Sequence, residues 1–343
     1  MFLPPLAPTF EAALRDVAAR DPRFRLAAAE RLAQPDEGRE ADAVAALRTL
    51  LGDPLGPVRQ AAVTALGLVG DASVCDLLRA RFDDEHAEVR QSAVTAVAVL
   101  DTDRTWLGAL LEDPRPEMRY QAVRALAAHE PSQAGELLPR LEDDDPRVAS
   151  GAARALGELA SHAPAASRDA LAKALDREDV AFAAAVALAE LDDPRGEATL
   201  VRALSDRNQV LEAVEALARV ASPAALDALA AHGRRLFAPL IVRAAIGAAL
   251  ARRGDRRGES VLARVLDAWR ADGRDYAVHA VGELRLEALL PALLRLARRL
   301  RGADPVTLAR SLRAFDRDDA REAVRLLTQR FGAALTAPET TSA

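Results

Sequence analysis

The sequence predicts an all-α fold, an α-α superhelix of about ten helical pairs, and three observations carry the prediction. Strong helix formers dominate the composition: Ala, Leu and Arg abound, and aromatic residues make up only 3%. A ten-residue pattern returns along the chain at a nearly constant interval, which marks a repeat architecture. A second amphipathic segment fills each interval, and the β-branched, aromatic-rich runs expected of strands are missing. Half of the residues are apolar, too many for a disordered chain. Because so much of the apolar material is Ala, the helices must pack at short distance.

The pattern reads VRQAAVTALG from Val58, VRQSAVTAVA from Val89, MRYQAVRALA from Met118 and VASGAARALG from Val148. Looser copies begin at Val180 and Val242, and the most degenerate near Phe24, Gln209, Gly273 and Thr307. Successive starts lie 29 to 34 residues apart, enough for two helices and their turns. Aligned on these starts, the residue four further on is Ala in all but one of the first nine copies, for example Ala62, Ala93 and Ala122. Seven further on stand Ala65, Ala96, Ala125 and Ala155, and eight further on Leu66, Val97, Leu126 and Leu156. Offsets 0, 4, 7 and 8 share one face of an α-helix, so each copy is a helix that buries a small-residue stripe.

The intervening outer helices are expected in order at Val44–Leu51, Val74–Phe82, Trp106–Leu111, Gly135–Leu141, Asp169–Leu175, Ala198–Leu204, Ala224–Ala231, Ser260–Trp269, Leu286–Leu300 and Arg321–Phe331. Most end in an acidic or Pro-bearing turn: Asp53-Pro54, Asp83-Asp84, Asp113-Pro114, Asp145-Pro146. Pro stops one helix and Asp caps the next, which gives a helix–turn–helix unit.

On these residues the chain resembles HEAT repeats, in the short bacterial HEAT-like form named from phycobilisome lyases. Asp53-Pro54 with Val58-Arg59 and Ala65-Leu66-Gly67, Asp84 with Val89-Arg90, and Asp113-Pro114 with Met118-Arg119 carry the resemblance, which covers roughly residues 10–332. It implies that the second helix of each pair lines the concave side. It also implies a ladder between turn Asp and helix Arg, kept here at a spacing of six in Asp53/Arg59, Asp84/Arg90 and Asp113/Arg119. Ala149 stands where the Arg after Asp143 should be, so the ladder is expected to lapse there.

Charge divides the chain unevenly. The net is −6, yet residues 231–343 hold 21 Arg against 13 acidic residues and carry +8 while the rest carries −14. We read one solenoid over 1–343: a regular acidic part at 10–230, a divergent arginine-rich part at 231–332 and a disordered tail at 333–343. The lone Cys75 allows no internal disulfide and reads as a small buried hydrophobe. Met1–Phe10 is broken by Pro4, Pro5 and Pro8 and lacks a basic stretch, so no secretory signal is expected. The longest uncharged run, Gln60–Gly70, is about half of the roughly 20 residues that span a bilayer. A cytoplasmic protein is expected.

Several catalytic classes build on such repeats. Deoxyhypusine hydroxylases hold two irons with several His-Glu pairs, whereas this chain has one, His129-Glu130, among five scattered histidines. No Gly-x-Ser-x-Gly elbow or phosphate-binding loop appears. No catalytic residue, metal or cofactor is therefore expected. DNA glycosylases of related build need aromatic residues in the groove, but Trp106 and Trp269 fall in outer helices.

The reading is a non-catalytic scaffold that binds another protein or peptide on the face of its second helices. By helical phase the groove-facing positions fall two, five, six and nine residues past each copy start, which selects Tyr120, Val123, Arg124, Arg154, Phe182 and Leu211. Aromatic and Arg anchors on a face with few charges are the usual composition of interface centres. A second, electrostatic patch comprises Arg252, Arg253, Arg256 and Arg257 with Arg295, Arg298 and Arg299, suited to an acidic partner. Bilin-lyase-like chromophore handling and nucleic-acid binding through the arginine-rich part stay open as alternatives.

Overall fold

The computed structural model describes residues 8–235, 238–269, 273–299 and 302–332. Every regular element among them is helical. The chain divides into two compact units, Met1–Ala170 and Leu171–Ala343. The expected tail at 333–343 lies outside the described residues.

The first unit opens with α1 (Phe10–Asp16), α2 (Pro22–Leu32), α3 (Glu40–Leu50) and α4 (Gly56–Val69). It continues with α5 (Cys75–Arg79), α6 (Ala87–Leu100), α7 (Thr105–Leu111), α8 (Pro116–His129) and α9 (Pro146–Glu158). Helices α2, α4, α6, α8 and α9 are the inner ones, each packed on the next. The outer helix expected at 135–141 is instead two 3₁₀ segments, Pro131–Leu137 and Pro139–Glu142. Pro139 falls inside the expected span, and a proline there removes a donor and clashes with the preceding turn of an α-helix.

Helix α10 (Ser167–Ala174) runs over the point of division. The second unit continues with α11 (Ala181–Glu190), α12 (Glu197–Ala203), α13 (Val210–Val220), α14 (Pro223–Gly233) and α15 (Leu240–Arg252). Then follow α16 (Arg257–Leu266), α17 (Arg274–Glu283), α18 (Leu290–Arg299), α19 (Pro305–Arg313) and α20 (Asp318–Phe331). Its inner helices α11, α13, α15, α17 and α19 again pack in succession.

The columns read from the repeat form the cores. Ala62, Ala93, Ala122, Ala152, Ala184, Ala213 and Ala277 are all 0% exposed, and Leu66, Val97, Leu156, Leu188, Leu217 and Leu250 likewise. The small column allows close approach. A Cβ added at Gly67 in α4 would lie 2.8 Å from the Cβ of Ala96 in α6.

The ladder joins neighbouring repeats at the outer-to-inner turns. Arg59 donates to its own turn at the Asp53 carbonyl, 2.8 Å, and to the next turn at the Asp84 carboxylate, 2.7 and 2.8 Å. Arg119 repeats the arrangement with the Asp113 carbonyl at 2.9 Å and the Asp143 carboxylate at 2.7 Å. Arg25 does so with the Ala19 carbonyl and the Asp53 carboxylate. One rung departs: Arg90 reaches Glu117, 2.5 Å, because Arg115 already holds Asp113. Ala149 is fully buried in the Arg column, as expected where the ladder lapses. In the second unit Arg274 resumes it, donating to the Ala268 and Gly302 carbonyls.

Candidate partner-binding face

Inner helices are buried on more than one side, since each packs on its outer partner and on the inner helices before and after it. The exposure pattern shows which columns remain for a ligand. Position six is open throughout the first unit: Thr64, Thr95, Arg124 and Arg154 are exposed. Position two is half-buried, as at Gln60, Gln91, Tyr120 and Ser150.

Position five is core. Val123 is 0% exposed, and Val63, Val94, Ala153 and Val214 are equally buried. The expectation that Val123 contacts a partner is therefore corrected: helical phase puts it between position two and the fully buried position one turn further on, against the neighbouring helices.

Sequence reasoning missed the position ten past each start. Leu68 is 70% exposed and Val99 60%, among the most exposed large hydrophobics of the chain. They lie four residues beyond Thr64 and Thr95 and so extend the open face by one turn. With Thr64, Thr95, Gln121 and Arg124 they border a shallow concavity of about 360 Å³ across α4, α6 and α8. A second concavity of about 420 Å³ is bordered by Tyr120, Gln121, Ser150, Gly151 and Arg154 across α8 and α9. Tyr120 packs against Gly151, where an added Cβ would meet its ring at 2.9 Å. The structure therefore brings Tyr120, Arg124 and Arg154 to one face of the first unit.

Phe182 and Leu211 belong to the second unit. Phe182 is half-buried and packs on that unit's core, while Leu211 is 45% exposed at the start of α13. The arginine patch falls at two places, the α15–α16 turn and the end of α18. Four of its seven members have local partners. Arg252 pairs with Glu283 at 3.1 Å, Arg257 with Asp255 at 2.6 Å and Asp227 at 2.5 Å, and Arg295 with Asp267 at 3.1 Å. Arg253 donates to the Arg219 carbonyl. Arg256, Arg298 and Arg299 remain exposed.

Cys75 is buried, which pushes its thiol above the usual value. Partial desolvation, with Arg104 nearby, pushes the imidazole of the exposed His129 down. Among the described residues no group of His, Cys, Asp or Glu gathers as a metal site requires. No described helix is long and apolar enough to cross a membrane.

The family model for HEAT repeats matches residues 7–98 and 104–187. No curated protein matches the chain in sequence. Among solved structures, Kap95p, described in its action on RanGDP, is 12% identical with a TM-score of 0.55, over 94% of this chain and 52% of Kap95p. YibA of Escherichia coli is 18% identical with a TM-score of 0.46, over 88% of this chain and 95% of YibA. The CpcE–CpcF complex of phycocyanin lyase from Nostoc is 20% identical with a TM-score of 0.41, over 65% of this chain and 92% of that one. At such identities the likeness to Kap95p is one of fold.

Proposed function

The chain belongs to the HEAT-repeat family, and from that premise we propose that it is a non-catalytic scaffold that binds a segment of another protein on the inner-helix face of its first unit. The observation that carries this is the row of exposed apolar side chains, Leu68 and Val99, continuing into Tyr120 and Arg124 across three adjacent repeats. A solvated helix face is ordinarily charged. This one offers apolar contact, an aromatic ring and a guanidinium, the composition of interface centres.

The arginine-rich part is the weaker site, because four of its seven arginines are already engaged. The lyase likeness, with a TM-score of 0.41, adds nothing to the chromophore reading.

The test starts from the partner recovered with the intact protein from native lysate and then purified. Leu68→Asp with Val99→Asp, and separately Arg124→Ala, should each weaken binding by about 2 kcal/mol or more and leave the melting temperature unchanged. Arg298→Ala with Arg299→Ala should bind like the parent at low and moderate salt. The reverse pattern would move the site to the arginine-rich part.

A further inference from the structure

The connections from inner to outer helices lie at the opposite end of each helical pair from the ladder. Between two of them, the one joining α6 to α7 and the one that follows α8, the first unit holds a cleft of about 500 Å³. Asp103 and Arg104 border it on one side, Glu130 and Glu136 on the other, and Leu107 and Leu126 lie in its lining. Two features keep it open. The outer element of the later repeat is the 3₁₀ segment Pro131–Leu137, a tighter coil than an α-helix. Gly108, in the middle of α7, is exposed and lines the cleft, and a Cβ added there would meet no side chain and no neighbouring element within 4 Å. Glycine inside a helix costs about 1 kcal/mol against alanine, so α7 gives up stability at the residue that borders the cleft.

The charges here are unbalanced and in part unspent. Arg104 is the one cation of the lining, against Asp103, Glu130 and Glu136, a net of −2. Its side chain is 14% exposed and stands 3.4 Å from the Glu130 carboxylate, yet its guanidinium donates no hydrogen bond to a described residue. Nε and Nη1 are sealed from solvent, which leaves Nη2 as the nitrogen that a ligand can reach. Buried polar groups are nearly always paired, and a guanidinium with every donor unspent is an exception that calls for an acceptor. Glu130 accepts from the Gln133 amide at 3.4 Å. Asp103 spends one oxygen on the backbone N–H of Thr105, 3.1 Å. Glu136 is exposed and has no partner among the described residues.

We propose that this cleft binds a small basic α-amino acid. The ligand's carboxylate meets Arg104 Nη2, its α-ammonium and side-chain cation meet the carboxylates of Asp103, Glu130 and Glu136, and its methylene chain lies over Leu107 and Leu126. Such a ligand carries one negative and two positive charges, the complement of the lining. A simple acid would face three carboxylates, and a polyamine would offer Arg104 no acceptor. The volume lies within the ~300–1,000 Å³ of small-molecule sites, which pair apolar surface with a few convergent polar groups. The cleft shares no lining residue with the inner-helix face, and neither proposal depends on the other.

The probe is L-arginine, titrated calorimetrically into the intact protein at moderate salt. Saturable binding at one site per chain is expected. Agmatine, which lacks the carboxylate, and L-citrulline, which lacks the side-chain cation, should each bind about tenfold more weakly or worse, since each gives up a charged hydrogen bond. Gly108→Leu, which fills the cleft, should weaken L-arginine by about the same factor or more, and so should Asp103→Asn with Glu136→Gln. All three positions are exposed, so the variants should melt no lower than the parent. Absence of saturable binding, equal affinity for either analogue, or full affinity in either variant would each overturn the proposal.

Discussion

Arg59 and Asp84 meet almost out of reach of water, their side chains 7% and 3% exposed. Deleting one leaves the other buried and uncompensated, at a cost of about 3–5 kcal/mol. Arg147 also pairs with an acid, Asp145, but is 69% exposed as a side chain, and such pairs contribute at most about 1 kcal/mol. Urea unfolding should therefore show Arg59→Ala losing several kcal/mol and Arg147→Ala almost nothing; equal losses would refute the rung as a buried pair. Gly67 and Ala96 make a second residue-level prediction. Gly67→Ala should destabilise, although Ala is about 1 kcal/mol the better helix former, because its Cβ collides with Ala96. Ala96→Leu should cost about 1–3 kcal/mol by overpacking, whereas Thr95→Leu, next to it and exposed, should be tolerated. Ala96, Leu66 and their equivalents were legible in the sequence because one short side chain recurs at one helical phase in nearly every copy.

At the scale of the helix, that phase was read correctly for the buried stripe and two columns too widely for the open one, since position nine is closed as well as position five, with Ala98 and Gly157 buried and Gly67 set against Ala96. Val123 looked surface-facing because a single amphipathic helix buries one stripe, but an inner helix touches neighbours before and after it as well. The open face is narrower and longer than expected, passing from position six to position ten, and Leu68 and Val99 could have been found by stepping one turn along from Thr64 and Thr95. The two positions at α8 give opposite outcomes on substitution. Val123→Asp should unfold the first unit, seen as a loss of helical circular dichroism, while Arg124→Ala should leave the spectrum and melting temperature intact. Loss of helix in both would put Arg124 in the core. The 3₁₀ segments were signalled by Pro131 and Pro139, whose missing donors outweighed the apolar spacing around them.

Across the molecule, the composition boundary at residue 230 and the structural one at 170 differ, because charge records surface and compactness records contacts. The arginine ladder gives the first unit its pH response. Burial alone would raise Asp53, Asp84 and Asp143, but the guanidinium and turn N–H bonds to each outweigh it and hold all three carboxyls below the usual range. A carboxyl lowered on folding contributes stability that is complete above its unfolded pKa of about 4 and is lost as pH falls through the lowered folded value. The first unit should thus be steady at neutral pH and weaken in acid below about pH 4, and Arg59→Ala should flatten that dependence. A parent whose stability does not change in acid would refute the linkage. The ladder also has a direction, since every carboxylate rung runs from an earlier repeat to a later one. Trimming the chain from its two ends is therefore not equivalent. Loss of the first repeat removes Arg25 and strands the Asp53 carboxylate, which a proton can neutralise. Loss of everything from Asp143 onward strands the Arg119 guanidinium, which no accessible pH discharges. Mild acid should rescue a fragment shortened at its beginning and do nothing for one shortened at its end.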